Sequence, residues 1–267
     1  MVASVPGSDD KPTHVNVMLE LAQLQHAMAP DAEAPGLGFE RVSTIAGNTY
    51  RDQSTIVIMP TREPLIHFRV AAALWGMIAP MNQKRHLMIC HGDEVGIAYD
   101  KMVRSILDHP DLGKWKYIMT VESDNLVPPD AQKRLLETIE AGAYDAVSGL
   151  YFTKGDFNMP MAYGDPQRFE TTGELEFTPR NVTEALRCGQ VMPVNGIAMG
   201  CALWRMDLFR EMPQPWFVTV DDILDNKPMG FTQDLWFCKE ARRKGRRFAV
   251  DCRVKVGHMD LNTGEVY

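Results

Sequence analysis

The chain has no stretch approaching the roughly 18 consecutive apolar residues of a membrane-crossing helix, and its opening, MVASVPGSDDKP, lacks the basic-then-apolar order of a secretory signal. A soluble protein is expected. Positive charge is also in short supply: 28 Lys and Arg against 35 Asp and Glu give a net charge of −7. The overall pull toward a polyanion that a dedicated nucleic-acid binder carries is therefore missing. Five cysteines, Cys90, Cys188, Cys201, Cys238 and Cys252, are odd in number and widely spaced. They form neither a disulfide framework nor a CxxC zinc pattern, and read as reduced packing residues in a cytoplasmic setting. Neither GxxxxGK[ST] nor GxGxxG follows the first predicted strand, so the usual phosphate cradles of kinases and dinucleotide enzymes are absent. There is no internal repeat and no low-complexity segment.

What remains is a chain of 267 residues, 45% hydrophobic, enough for one sizeable core. Residues 1–53 stand apart as an extension with one helical pattern, HVNVMLELAQLQHAM, between Pro-, Gly- and Asp-rich flanks. Val17, Leu21, Leu24 and Met28 fall on one face, which predicts a helix docked on the main domain, with contact to a partner as the alternative. From Ser54 onward the pattern alternates. Strands STIVIMP, RHLMICH, YIMTVES and YDAVSGLYF are interleaved with helices PLIHFRVAAALWGMIA, GIAYDKMVRSILDH and PPDAQKRLLETIEAG. Such alternation predicts a parallel sheet with crossover helices. A polar, Pro- and Gly-rich stretch then runs to about Met192, followed by PVNGIAMGCALWR, the helix TQDLWFCKEARRKG, the strand RRFAVDC and the tail VKVGHMD.

In an open parallel sheet, ligands bind beyond the carboxyl ends of the strands. Thr61-Arg62, Asp93-Glu94 and Glu122-Ser123-Asp124 all fall at such ends and are expected to share one crevice. Carboxylates gathered there repel one another unless a cation lies between them, and hard oxygen ligands suit Mn²⁺ or Mg²⁺. Taken alone, Ser123-Asp124-Asn125 reads equally well as a turn capping the helix after Pro128.

These strand ends, followed in order by VNGIAMGCALWRMDLF, FTQDLWFCKEARRKG and RFAVDCRVKVGHMD, resemble the GT-A-fold glycosyltransferases, particularly the inverting, family-two-like group, over roughly residues 55–260. The resemblance implies an α/β GT-A fold: a Rossmann-like, mostly parallel central sheet with helices on both faces. It implies a single catalytic domain over 54–267, with a nucleotide-sugar half at 54–125 and an acceptor half at 126–267. The activity implied is metal-dependent transfer of a sugar from a nucleoside-diphosphate donor, a UDP-sugar in many relatives, to a hydroxyl acceptor.

Residue by residue, the resemblance places Asp124 at the last position of the DxD motif and Glu122 at the first, with Ser123 between them facing the donor. Asp124 and His258 would be the protein ligands of a Mn²⁺ (or Mg²⁺) bridging the donor's diphosphate. Thr61 and Arg62 would meet the nucleoside. Asp93 would read the base edge, with Glu94 one register away. Lys101 would stand in for the family's phosphate-binding Arg, and Gly200 would admit the donor close to the backbone. Asp234, preceded by Gln233 where many relatives carry Glu, matches the general base that takes the acceptor's proton as the oxygen attacks the anomeric carbon.

Plainer roles stay open for several of these residues. Asp234 is also favoured at a helix N-terminus by the dipole, and Arg62 suits a solvated loop. Trp204, Trp216, Phe217 and Trp236 suit a core, and Lys239 to Arg247 suits a solvated helix face. Two other functions compete: a catalytically silent nucleotide-sugar-binding protein, and a nucleotidyltransferase, which usually carries a Gly-rich first loop that MPTREPL lacks. Acceptor choice belongs to the loops at about 153–192 and 221–230, and a polysaccharide, a protein, a lipid carrier and a modified DNA base are all open, as is the oligomeric state.

Overall fold

A computed structural model of the chain describes residues 52–155, 158–187, 190–224 and 227–267. The helix expected at 14–28 lies outside the described residues. Thirteen strands are described: β1 (Thr55–Thr61), β2 (Arg85–His91), β3 (Tyr117–Val121), β4 (Asn125–Leu126), β5 (Ala146–Leu150), β6 (Ala162–Tyr163), β7 (Val191–Val194), β8 (Gly196–Ile197), β9 (Cys201–Arg205), β10 (Val220–Leu224), β11 (Lys227–Phe231), β12 (Phe248–Lys255) and β13 (Gly257–His258). The helices are α1 (Phe68–Gly76), α2 (Val95–Asp108), α3 (Ala131–Glu140), α4 (Pro166–Thr172), α5 (Val182–Arg187), α6 (Met206–Glu211) and α7 (Gln233–Arg243).

Seven strands form one sheet in the order β2-β1-β3-β9-β5-β12-β7. The first three are parallel, with Thr55 opposite both Arg85 and Tyr117. The expectation of a mostly parallel sheet is corrected beyond them. β9 enters antiparallel between β3 and β5, and β7 closes the far edge antiparallel to β12, so three of the six neighbouring pairs are antiparallel.

Both faces of β1, β3 and β5 are covered, as their continuous apolar runs require, while the edge strand β2 is largely exposed among the described residues. Ile56, Ile58 and Ile118 pack on one face with Tyr99, Met102, Val103 and Ile106 of α2 and with Phe237, Cys238 and Ala241 of α7. Their neighbours Val57, Met59, Tyr117 and Met119 point the other way, against Val70 of α1 and Leu135, Leu136 and Ile139 of α3. The spacing of three and four along α2 and α3 is the amphipathic stripe visible in the sequence. Trp204, Trp216 and Phe217 are buried core residues. The structure is therefore a mixed α/β, Rossmann-like arrangement of a multi-stranded sheet between helices. Among the described residues no helix is long and apolar enough to cross a membrane.

The basic run is exposed at Arg243, Lys244 and Arg247 and buried at Arg242. Arg242 is buried with its guanidinium 5.1 Å from the Phe169 ring centre, Arg243 pairs with Glu240 at 3.0 Å, and Arg246 bonds to Glu211 and lies 3.6 Å from Asp145.

Candidate functional site

Because β1, β2 and β3 are parallel, their carboxyl ends emerge together at one edge of the sheet. There they bound a cleft of about 510 Å³ lined by Thr61, Arg62, Asp93, Glu94, Glu122, Ser123 and Asp124. Gly92, also in the wall, makes the turn after β2 at φ +86°, a backbone region that a side chain disfavours, and its N–H donates to the Thr61 carbonyl at 3.1 Å. The Thr61 hydroxyl donates to the Glu63 carbonyl at 2.7 Å. Glu94 caps α2, accepting from Ile97 N–H at 3.0 Å and from the Thr219 hydroxyl at 3.1 Å. Lys101 does not line this cleft. Its Nζ donates to Asp93 Oδ1 at 2.7 Å, a bond that holds the Asp93 carboxyl below its ordinary range. It lines an adjoining cavity of about 710 Å³ that shares Glu94.

The acidic triplet is a turn. Asn125 N–H donates to the Glu122 carbonyl at 3.1 Å, and Glu122 N–H donates to the Gly200 carbonyl at 3.2 Å. It does not cap α3, whose N-cap position is Asp130. A two-residue antiparallel ladder sets His258 opposite Asn125, and Met259 N–H donates to the Asp124 carbonyl at 2.8 Å. Two segments more than a hundred residues apart in sequence thereby meet. His258 Nδ1 lies 2.7 Å from the Phe152 carbonyl, which can only accept, so Nδ1 carries a hydrogen; Nε2 faces Asp124 Oδ2 at 3.5 Å and donates to it only when the ring is protonated on both nitrogens.

The expected Mn²⁺ or Mg²⁺ site is corrected by this geometry. Among the described residues no three His, Cys, Asp or Glu side chains are grouped so as to hold a metal ion. The Asp124 carboxylate is taken up otherwise: Lys154 Nζ bonds to Oδ2 at 2.5 Å, beside His258. Burial alone would raise the Asp124 carboxyl, but the bonds from His258 and Lys154 hold it below its ordinary value. An ammonium thus supplies the positive charge expected of a cation.

Glu122 carries the opposite shift. Burial foremost, then the charges of Asp124 and Asp234, push its pKa from 4.5 up to about 8, with Lys154 opposing. A raised folded-state pKa means that stabilisation is full below about 4.5 and is lost as pH rises to about 8. Glu122→Gln should therefore flatten the decline in stability between those limits, where one such group changes the unfolding free energy by up to about 1.4 kcal/mol per pH unit. Urea denaturation of both proteins at pH 5, 6, 7 and 8 checks this; parallel pH profiles would contradict it.

Asp234 stands in the first turn of α7 on the same stripe as Phe237, Cys238 and Ala241, and is buried. Its Oδ1 accepts from Leu235 N–H at 2.8 Å, and burial raises its pKa. It is outside the cleft wall but close enough for its charge to be felt at Glu122, at the buried hydroxyls of Tyr99 and Tyr151 and at half-buried Tyr163. A buried carboxylate of raised basicity is suited to accept a proton.

Gly200 is also outside the wall. Its close approach is to Tyr151, whose hydroxyl accepts from Gly200 N–H at 2.8 Å; a Cβ there would come within 2.6 Å of that hydroxyl and 2.7 Å of Asn125 Oδ1. Gly200→Ala should cost about 1–3 kcal/mol as an overpacking change, read as a lower urea midpoint; an unchanged midpoint would mean that Tyr151 moves aside freely. Within the expected loop at 221–230, residues 221–224 and 227–230 lie in strands β10 and β11, which pair antiparallel.

Lys154 and Tyr151 were not predicted from the sequence. The signal was available: both follow β5, another strand of the sheet, and the strand-end rule applied to β1–β3 applies there too.

No protein-family model matches the chain, and no curated protein matches it in sequence. Solved structures similar in fold include the following two. One is A197 from STIV, at 14% identity with a TM-score of 0.52, covering 78% of this chain and 86% of that one. The other is GalNAc-T7 with UDP, GalNAc and Mn²⁺, at 9% identity with a TM-score of 0.51, covering 79% of this chain and 44% of that one. At these identities the likeness is one of α/β architecture.

Proposed function

We propose that this protein is a GT-A-type glycosyltransferase that moves a sugar from a nucleoside-diphosphate donor, a UDP-sugar foremost, to a hydroxyl acceptor with inversion. The observation that carries the reading is the convergence of Thr61, Arg62, Asp93, Glu122, Ser123 and Asp124 on one cleft, with a second buried carboxylate, Asp234, in electrostatic reach of Glu122. The fold likeness to a structure holding UDP and GalNAc supports it.

In this reading residues 54–125 hold the nucleotide and residues 126–267 meet the acceptor. The acceptor hydroxyl attacks the anomeric carbon as the bond from that carbon to the β-phosphate oxygen breaks. The electron pair leaves with the nucleoside diphosphate, and Asp234 takes the hydroxyl proton. A single displacement inverts the anomeric centre. The other strand-end residues act by holding the donor for in-line attack.

Calorimetry with UDP, GDP, ADP and CDP, each against its nucleoside, tests the donor half. One diphosphate is expected to bind more tightly than its nucleoside. Release of pyrophosphate from a nucleoside triphosphate would instead make the protein a nucleotidyltransferase and overturn the proposal.

A further inference from the structure

We propose that Lys154 is the built-in cation of the cleft, bonding directly to the diphosphate of the donor; the inference rests on the glycosyl-transfer reading above. Lys154 follows the carboxyl end of β5, and its Nζ lies 2.5 Å from Asp124 Oδ2. The same carboxylate oxygen has His258 Nε2 at 3.5 Å. Asp124, itself a lining residue of the cleft, is thus held between two groups from separate parts of the chain and fixes the ammonium on its Oδ2. An ammonium has three N–H donors. The bond to Asp124 uses one, the Lys154 side chain is 31% exposed, and the remaining donors can reach phosphate oxygens.

The other positive groups near the cleft are placed differently. Lys101, bonded to Asp93 at 2.7 Å, lines the adjoining cavity, and Arg62 is exposed on the cleft rim. Against these stand Glu122, Asp124, Asp93 and Glu94, a surplus of carboxylates in a cleft read as taking a dianionic diphosphate. Such a ligand needs a cation beside its phosphates. When the bond from the anomeric carbon to the phosphate oxygen breaks, that oxygen keeps the electron pair and the leaving diphosphate gains one negative charge. A fixed ammonium at that point is worth more as the charge develops than before it.

The test uses the full chain and inorganic pyrophosphate, which carries the diphosphate without the base, alongside UDP and uridine. Calorimetry compares wild type with Lys154→Met, Lys154→Arg and Arg62→Gln, each checked for a native unfolding transition. Losing a charge-assisted bond to phosphate should weaken pyrophosphate and UDP by about 10- to 100-fold in Lys154→Met. Uridine should bind as to wild type, and Lys154→Arg should restore part of the loss. If Lys154→Met does not fold, Lys154→Gln takes its place in the same comparison.

Three results overturn the proposal: pyrophosphate bound equally by Lys154→Met and wild type, the whole loss falling on Arg62→Gln, or a wild type that binds neither pyrophosphate nor any nucleoside diphosphate. Sugar transfer is assayed separately on the wild type. Loss of pyrophosphate binding in Lys154→Met, with no donor turned over by the wild type, upholds the diphosphate contact and removes the transfer reading. Wild-type transfer with undiminished pyrophosphate binding by Lys154→Met keeps the reading and removes the lysine's role.

Discussion

Asp234→Asn is expected to slow sugar transfer by about 10²- to 10⁴-fold and to leave nucleotide affinity near that of the wild type. The substitution keeps size and an oxygen able to accept from Leu235 N–H, the bond that Oδ1 makes at 2.8 Å. It removes basicity alone. Asp234 lies outside the cleft wall formed at the ends of β1, β2 and β3, so the donor's contacts stay in place. An interaction that matters in the transition state and little in the ground state has this signature.

Stability separates the same variant from a folding defect. Burial raises the Asp234 pKa, so the folded state loses stability as pH rises through that pKa and the group ionises. A neutral Asn carries no such penalty, and at neutral pH the variant should unfold at a urea concentration no lower than wild type. A slow, stable enzyme supports the role of base. A variant that transfers at the wild-type rate would remove it.

The second large effect is structural. Trp204→Ala should cost about 3–5 kcal/mol, a substantial part of the roughly 5–15 kcal/mol that holds a domain folded. Trp204 lies in β9 between β3 and β5, is fully buried, and its ring centre is 5.7 Å from that of Phe237, 6.0 Å from Phe209 and 6.2 Å from Phe248. Its Nε1–H donates to the Thr120 hydroxyl at 3.1 Å, so truncation leaves a cavity and removes one of that buried hydroxyl's two bonds, the other being its donation to the Ala202 carbonyl at 3.3 Å. Phe237 belongs to α7, the helix that carries Asp234. Loosened packing should therefore lower transfer as well as the urea midpoint. Trp204→Phe, which keeps most of the volume, should recover most of the stability. A loss below about 1 kcal/mol in Trp204→Ala would mean that the core closes over the gap.

Much of the first half of the fold was legible because its periodicities are strong. RHLMICH is β2 residue for residue, and GIAYDKMVRSILDH is α2 within one residue at each end. PLIHFRVAAALWGMIA read longer than α1, because His67 caps the helix through a side-chain bond to Arg69 N–H and Met77 is already extended. Strand direction was not legible. CALWR reads as a buried strand whichever way it runs, and only the structure places β9 antiparallel between β3 and β5.

The site followed a similar division. Carboxyl ends of parallel strands must share an edge, which gathered Thr61, Asp93 and Glu122-Ser123-Asp124 from local pattern and one topological rule. The partners of those residues depend on tertiary contact. Nothing within the acidic triplet encodes Lys154 on Asp124, and that ion pair is what turned an expected metal ligand into half of a salt bridge. Lys101 likewise was expected at phosphate, and the fold instead sets it on Asp93 in the lining of the adjoining cavity.

The central claim, that this cleft takes a nucleotide sugar and transfers the sugar, is tested most directly by donor turnover. Purified protein is incubated with UDP-, GDP-, ADP- and CDP-sugars without acceptor, and the nucleoside diphosphate released is followed over time beside Asp234→Asn. The account predicts slow release from one class of donor, with water as the acceptor, and release reduced by at least tenfold in the variant. Tight binding of a donor that stays intact in both proteins would contradict transfer and leave a nucleotide-sugar-binding protein in its place.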